Sequence, residues 1–240
     1  MSFFLIVLVV VWAIAYVLGM ASKEPKANGT RRLPLWTKLV MIAATLALAL
    51  HWFFMPDAHR AAAAYLIVAG LVAGAVGDLI LADVFPLRRT EIAAMGVFGV
   101  GHFFYIAAVL VARHTYALAG PGPLIAAVVS AALAVIAWRA LVYNPTGSRT
   151  LNTGSLVYGV LLLITTGLAI DLTVESGALL TLALGIILFA ASDVLLARSL
   201  IRKRGTPLLR DIVWIIYSGG QMLIACSVGQ VLDAAAQALL

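Results

Sequence analysis

The chain has 240 residues, 64% of them hydrophobic and 11% charged, with a mean hydropathy of +1.09; soluble domains carry about 25% charged residues, so a soluble fold is excluded. The formal net charge is +6, but the cations lie in short loops between apolar runs and report membrane orientation rather than nucleic-acid binding. The lone cysteine, Cys226, sits inside an apolar run, which excludes a disulfide framework and a thiolate metal cluster.

A membrane helix needs roughly 17 to 25 mostly apolar residues. Breaks in hydropathy predict eight of them, an all-α polytopic bundle forming a single transmembrane domain over 1–240. The first, near 3–20, has no Lys or Arg before Phe3 and reads as a retained helix, not a cleaved signal. The second, 34–54, opens on Pro34, where a missing amide proton does no harm. It carries Lys38 about 6 Å inside, at 1.5 Å per residue. The third, 60–82, holds Gly70 and Gly74, a spacing that suits tight packing, and then Asp78 about one turn from its end. The fourth, 92–112, contains Gly99-Val100-Gly101-His102, with Tyr105 on the face of His102. His102 lies about 18 Å from the preceding loop, deeper than the aspartates. The fifth, 121–142, starts at Pro121 and stops before Asn144-Pro145. The sixth, 154–170, is the shortest. The seventh, 177–196, carries Ser192-Asp193, and the eighth, 211–232, places Tyr217 and Gln221 on one face, with Gly219 and Gly220 between them.

Basic residues fix the orientation. Loops after helices one, three, five and seven, with the adjoining helix ends, hold Lys23, Lys26, Arg31, Arg32, Arg88, Arg89, Arg139, Arg149, Arg198, Arg202, Lys203, Arg204 and Arg210, whereas the other side holds Arg60 and Arg113. The positive-inside rule then puts those loops in the cytoplasm and both termini outside, in the cell (inner) membrane. The segments Ala75–Ala82 and Ala190–Ala197 are alike at an offset of 115 residues, which aligns Asp78 with Asp193 (78 + 115 = 193). This suits a parallel 4+4 duplication; chance likeness of two Ala/Leu-rich helices is the rival reading.

A charge near the bilayer centre costs about 2.5 to 3.5 kcal/mol on insertion scales, so it normally faces a partner or a wet cavity. Lys38, Asp78 and Asp193 are the clear cases, all in the cytoplasmic half. The blander readings are a snorkelling Lys38, aspartates paired with arginines, a hydrogen-bonded packing role for His102, and an aromatic belt for Tyr217. His51, His59 and His114 fall at outer helix ends. Helix direction and depth predict a cavity towards the cytoplasmic half lined by Lys38, Asp78, Asp193, Tyr217 and Gln221, with His102 and Tyr105 deeper. Ser192 before Asp193, against Gly77 before Asp78, offers a hydrogen bond that would keep Asp193 ionised and make Asp78 the acid.

The order Thr37-Lys38, Gly77-Asp78, Gly101-His102 with Tyr105, Ser192-Asp193 and Tyr217 with Gln221 resembles the YhhN-like lysoplasmalogenase family from about residue 34 to 230. Leu39 departs from it, since the family tends to proline after the lysine. The resemblance implies a membrane enzyme that hydrolyses the vinyl ether bond of lysoplasmalogens to a fatty aldehyde and a glycerophospho-alcohol. It implies Asp78 and Asp193 as catalytic, and Lys38, His102, Tyr105, Ser192, Tyr217 and Gln221 as substrate-binding. The partner would be a lysophospholipid taken from membrane lipid, with no nucleic acid, no metal and no organic cofactor. The chemistry suits the carboxylates: protonation of the enol ether carbon needs an acid, and the resulting oxocarbenium ion needs a negative group and water. A transporter using Asp, His and Lys as a proton relay is the alternative from another class, and a helical scaffold or lipid sensor is a third.

Overall fold

A computed structural model of the chain describes residues 3–25, 31–54, 61–85, 87–202 and 206–237. Lys26, Arg60, Lys203 and Arg204, used in the charge argument, and His59, placed at an outer helix end, lie outside the described residues.

The described residues fold into eight α-helices: α1 (Phe3–Ala21), α2 (Leu35–His51), α3 (Ala62–Leu81), α4 (Thr90–Thr115), α5 (Gly122–Ala137), α6 (Arg149–Ser176), α7 (Leu180–Ile201) and α8 (Pro207–Gln237). The one extended feature is a two-residue antiparallel pair, Glu24–Pro25 with Arg31–Arg32, in the α1–α2 connection. Seven helices are long and apolar enough to cross a membrane; α2, with 17 residues, is shorter, and a 3-10 turn over Trp52–Phe54 continues it. Large apolar side chains point outward, as with Val174 at 76% and Leu124 at 69% exposure. That outward apolar surface is what lipid requires and water forbids, and the chain is a multi-pass membrane protein.

Two predicted elements come out differently. The sixth span, expected to be shortest, belongs to a 28-residue helix. Hydropathy lost its ends because they are polar: Asn152 is buried at one end, and Asp171 and Glu175 lie at the other. They stay helical because Ser148 caps the start, its Oγ accepting from the Leu151 amide at 3.4 Å, and because Asp171 and Glu175 pair with Arg113 at 2.8 and 2.6 Å. Arg113, counted on the outer side, is accordingly only 6% exposed. The fifth span is α-helical only to Ala137, its last turn widening to a π-helix over Trp138–Val142.

Sequence neighbours pack as hairpins, α1 on α2, α3 on α4, α5 on α6 and α7 on α8, and these join through α4 with α6, α6 with α7, and α8 with α2 and α3. Glycines set the closest approaches. A methyl group on Gly101 of α4 would lie 3.2 Å from the Gly70 carbonyl oxygen of α3, and one on Gly185 of α7 would lie 2.7 Å from the Gly220 carbonyl oxygen of α8. These contacts pack α3 against α4 and α7 against α8, and α3 and α7 carry the two aspartates.

Candidate functional site

The bundle encloses a cavity of about 790 Å³, within the range of ligand pockets, about 300 to 1,000 Å³. Its walls are mainly apolar: Phe98 from α4, Ala134 from α5, Leu162 and Leu163 from α6, Leu196 and Leu200 from α7. Asp78, Asp193, Lys38 and Tyr217 all stand on that wall. Towards the end that carries the α3–α4 connection the lining turns polar, with Asp83, Glu91, Arg210 and Asp211. Lys23 closes an ion pair with Asp211 at 2.5 Å, and the Lys38 ammonium lies 4.9 Å from the Trp214 ring centre, a cation–π arrangement.

Each aspartate receives a phenol. Tyr217 Oη donates to Asp78 Oδ2 at 3.0 Å, and Gln221 Nε2 donates to that phenol oxygen at 2.9 Å from one turn along α8. Tyr105 Oη in turn donates to Gln221 Oε1 at 3.3 Å. On the other side Tyr158 Oη donates to Asp193 Oδ2, and His102 Nε2 stands 3.5 Å from the phenol oxygen. A phenol has one proton. With that proton on Asp193, His102 can only approach as an Nε2–H donor, which leaves Nδ1 as an acceptor; Nδ1 is buried and has no hydrogen-bond partner. Both carboxylates are thus held by the same series, an N–H behind a phenol O–H behind a carboxylate.

The predicted site residues therefore divide. Lys38, Asp78, Asp193 and Tyr217 share the large cavity. Gln221 stands behind Tyr217 and faces a separate small cavity. His102 and Tyr105, at 0% and 1% exposure, lie in the second layer, His102 within 6 Å of the rings of Tyr105, Tyr158 and Phe189. Ser192 Oγ has two acceptors for its one proton, the Phe189 carbonyl at 2.6 Å and Asp193 Oδ1 at 3.5 Å, so the hydrogen bond expected to set Asp193 apart is the longer of the two. Tyr158 was missed. Its helix lacks a neighbouring charge or histidine to draw notice, and a span read as starting at 154 puts it only about one turn inside, where it passes for an aromatic belt; in the 28-residue helix that starts at Arg149 it lies deeper.

Two carboxylates on the wall of an apolar cavity inside a helical bundle are the features of this multi-pass membrane protein on which a site can be built. The pattern of the YhhN family matches residues 33–228, and the chain belongs to that family. No curated protein and no solved structure matches it.

Proposed function

We propose that this protein is a lysoplasmalogenase, hydrolysing the vinyl ether bond of a lysoplasmalogen drawn from the bilayer. The observation that carries the reading is that Asp78 and Asp193, from two different helices, stand on the wall of one apolar cavity of about 790 Å³. The size suits one hydrocarbon chain with its headgroup at the polar end, where Lys38 and Arg210 offer cations to a phosphate. Membership of the YhhN family supports the same reading.

In the reaction, one aspartic acid gives its proton to the alkenyl carbon remote from oxygen, and the ether oxygen lone pair stabilises the cation formed at the adjoining carbon. Water adds to that carbon while a carboxylate takes its proton, giving a hemiacetal. Collapse breaks the bond to the glycerol oxygen, which takes a proton as the hemiacetal hydroxyl loses one. Aldehyde and glycerophospho-alcohol leave, and the carboxyls return to their starting state. The phenol on each Oδ2 leaves Oδ1 to carry the transferable proton, and its hydrogen bond strengthens as negative charge develops.

The arrangement in the membrane is part of the proposal: eight crossings, both termini outside, in the cell membrane. With the 3-10 turn, the second crossing runs from Leu35 to Phe54. A 4+4 duplication is supported by the glycine contacts, because the offset relating Asp78 to Asp193 also relates Gly70 to Gly185 (70 + 115 = 185), and each of these glycines meets the next helix.

The test is incubation of the purified chain with 1-alkenyl-, 1-alkyl- and 1-acyl-glycerophosphocholine in 18O-water. Only the alkenyl lipid should be cut, with 18O in the aldehyde. Asp78→Asn and Asp193→Asn should each lose at least about 100-fold in turnover per folded molecule, the usual scale of general acid–base catalysis. No aldehyde from the wild-type chain, or near-normal turnover in a folded Asn variant, overturns the reading or removes that aspartate from it.

A further inference from the structure

Asp78 faces a second cavity. It is about 20 Å³ in volume, lies between α2, α3 and α8, and is lined by Thr45, Asp78, Ser218 and Gln221 among apolar groups, with Trp214 and Tyr217 shared with the large cavity. A site needs about 10 to 15 Å³ and two to four polar partners to hold one water. We propose that this cavity is the site of the water that attacks the oxocarbenium ion. The inference rests on the vinyl ether reading above and locates its nucleophile.

The hydrogen bonds close around a single water. Thr45 donates its proton to the Met41 carbonyl at 3.0 Å and Ser218 donates to Trp214 at 2.7 Å, so both hydroxyl oxygens present lone pairs. Gln221 uses one amide hydrogen on Tyr217 and keeps a second. A water there donates to Asp78 and to one hydroxyl, accepts from Gln221, and retains one lone pair for attack. Asp78 borders both cavities, and Asp193 borders only the large one. Asp78, ionised when the water moves forward, is therefore the group that takes its proton: the water oxygen bonds to the cationic carbon, and its proton goes to the Asp78 carboxylate.

A defect confined to water capture has a signature that lost packing lacks. Slow capture lets the cation return its carbon-bound proton, so unreacted substrate recovered from D2O carries deuterium on its alkenyl carbon. Thr45→Val keeps the shape of the side chain and leaves no donor unpaired, and Ser218→Ala does the same for serine. The one of the two that removes the hydroxyl the water uses should lower kcat about tenfold, one hydrogen bond's worth, leave KM for 1-alkenyl-glycerophosphocholine within twofold, and put deuterium into recovered substrate; Asp78→Asn should do so more strongly. Wild-type turnover with normal kcat in both hydroxyl variants overturns the water site alone, as does a lower kcat without deuterium in recovered substrate. Absence of wild-type turnover on the alkenyl lipid overturns the vinyl ether reading and the water site with it.

Discussion

Tyr158 and Tyr217 hold their aspartates in the same way but from unrelated positions, one reaching Asp193 from α6 and the other Asp78 from α8. Neither carboxylate can swing freely, because Oδ2 is fixed by a phenol that is itself fixed by an N–H behind it. Removing the Tyr158 hydroxyl keeps the ring and its packing against His102 but frees Asp193. Tyr158→Phe is expected to lower kcat about tenfold, since hydrogen bonds to charged groups contribute roughly 1.5 to 3 kcal/mol, of which only the part gained in the transition state counts. KM should stay within twofold. Equal losses in kcat and protein yield would instead mark Tyr158 as structural, and steady-state kinetics on folded protein decides between them. The aspartates and Lys38 were legible in the sequence because a charge in an apolar run must be accounted for. Tyr158 was not, because tyrosine is common near membrane surfaces and only the fold shows whose oxygen it touches.

Helix α3 is shaped by what its glycines leave out. A methyl group on Gly70 would come within 2.3 Å of the Tyr105 ring, one on Gly74 within 2.8 Å of Gln221 Nε2, and one on Gly77 within 2.7 Å of Phe98. The spacing 70, 74, 77 puts all three on the face that meets α4 and α8; the tyrosine–glutamine–tyrosine series occupies the space left at Gly70 and Gly74, and Phe98 that at Gly77. The sequence reading assigned Gly70 and Gly74 to close helix packing; the backbone of α4 does approach at Gly101, yet what Gly70 and Gly74 chiefly accommodate is side chains of the site. Gly70→Ala must move Tyr105, which is 1% exposed and has nowhere to go. Overpacking of this kind costs about 1 to 3 kcal/mol. Gly96→Ala in α4, where nothing lies within 4 Å of the added methyl, should be neutral or gain up to about 1 kcal/mol from helix propensity. Thermal unfolding in one detergent should rank Gly70→Ala lowest by several degrees; equal melting temperatures would contradict the packing described for α3. Helix existence was readable from hydropathy throughout, whereas the ends of α6 were not, since an ion cluster such as Arg113 with Asp171 and Glu175 reads as loop until its pairing is seen.

Four connections meet at one end of the bundle. Lys23, just after α1, pairs with Asp211 at the start of α8, and Asp83 and Glu91, flanking the α3–α4 connection, share the cavity with Arg210. Asn144, following α5, donates to the Ile201 carbonyl at the end of α7 at 2.9 Å, and Arg202 donates to the Tyr143 carbonyl at 3.2 Å. For the ends of both α1 and α3 to lie here, α2 must traverse the bundle although it is shorter than any of the seven candidate spans. Its 17 residues rise about 25 Å at 1.5 Å each, and the three-residue 3-10 turn adds about 6 Å at 2 Å each, together matching a hydrocarbon core about 30 Å thick. This supports the proposed eight crossings, and the excess of cations supports the proposal that this end faces the cytoplasm. Single-cysteine variants on a Cys226→Ala background test the arrangement with a membrane-impermeant thiol reagent on intact cells. Cysteines at Ser22, Arg88, Thr146 and Thr206 should be protected until the cells are opened, while those at Ala117 and Ala178 should label from outside. The comparison of Ser22 with Arg88 is the critical one, because only α2 and α3 separate them: two crossings return the chain to the same side, and one does not. Labelling of Ser22→Cys alone from outside would mean that α2 stays on one face of the membrane. The Lys23–Asp211 pair could not then form in the bilayer, and the end of the cavity that Lys38 and Asp211 line would be rebuilt.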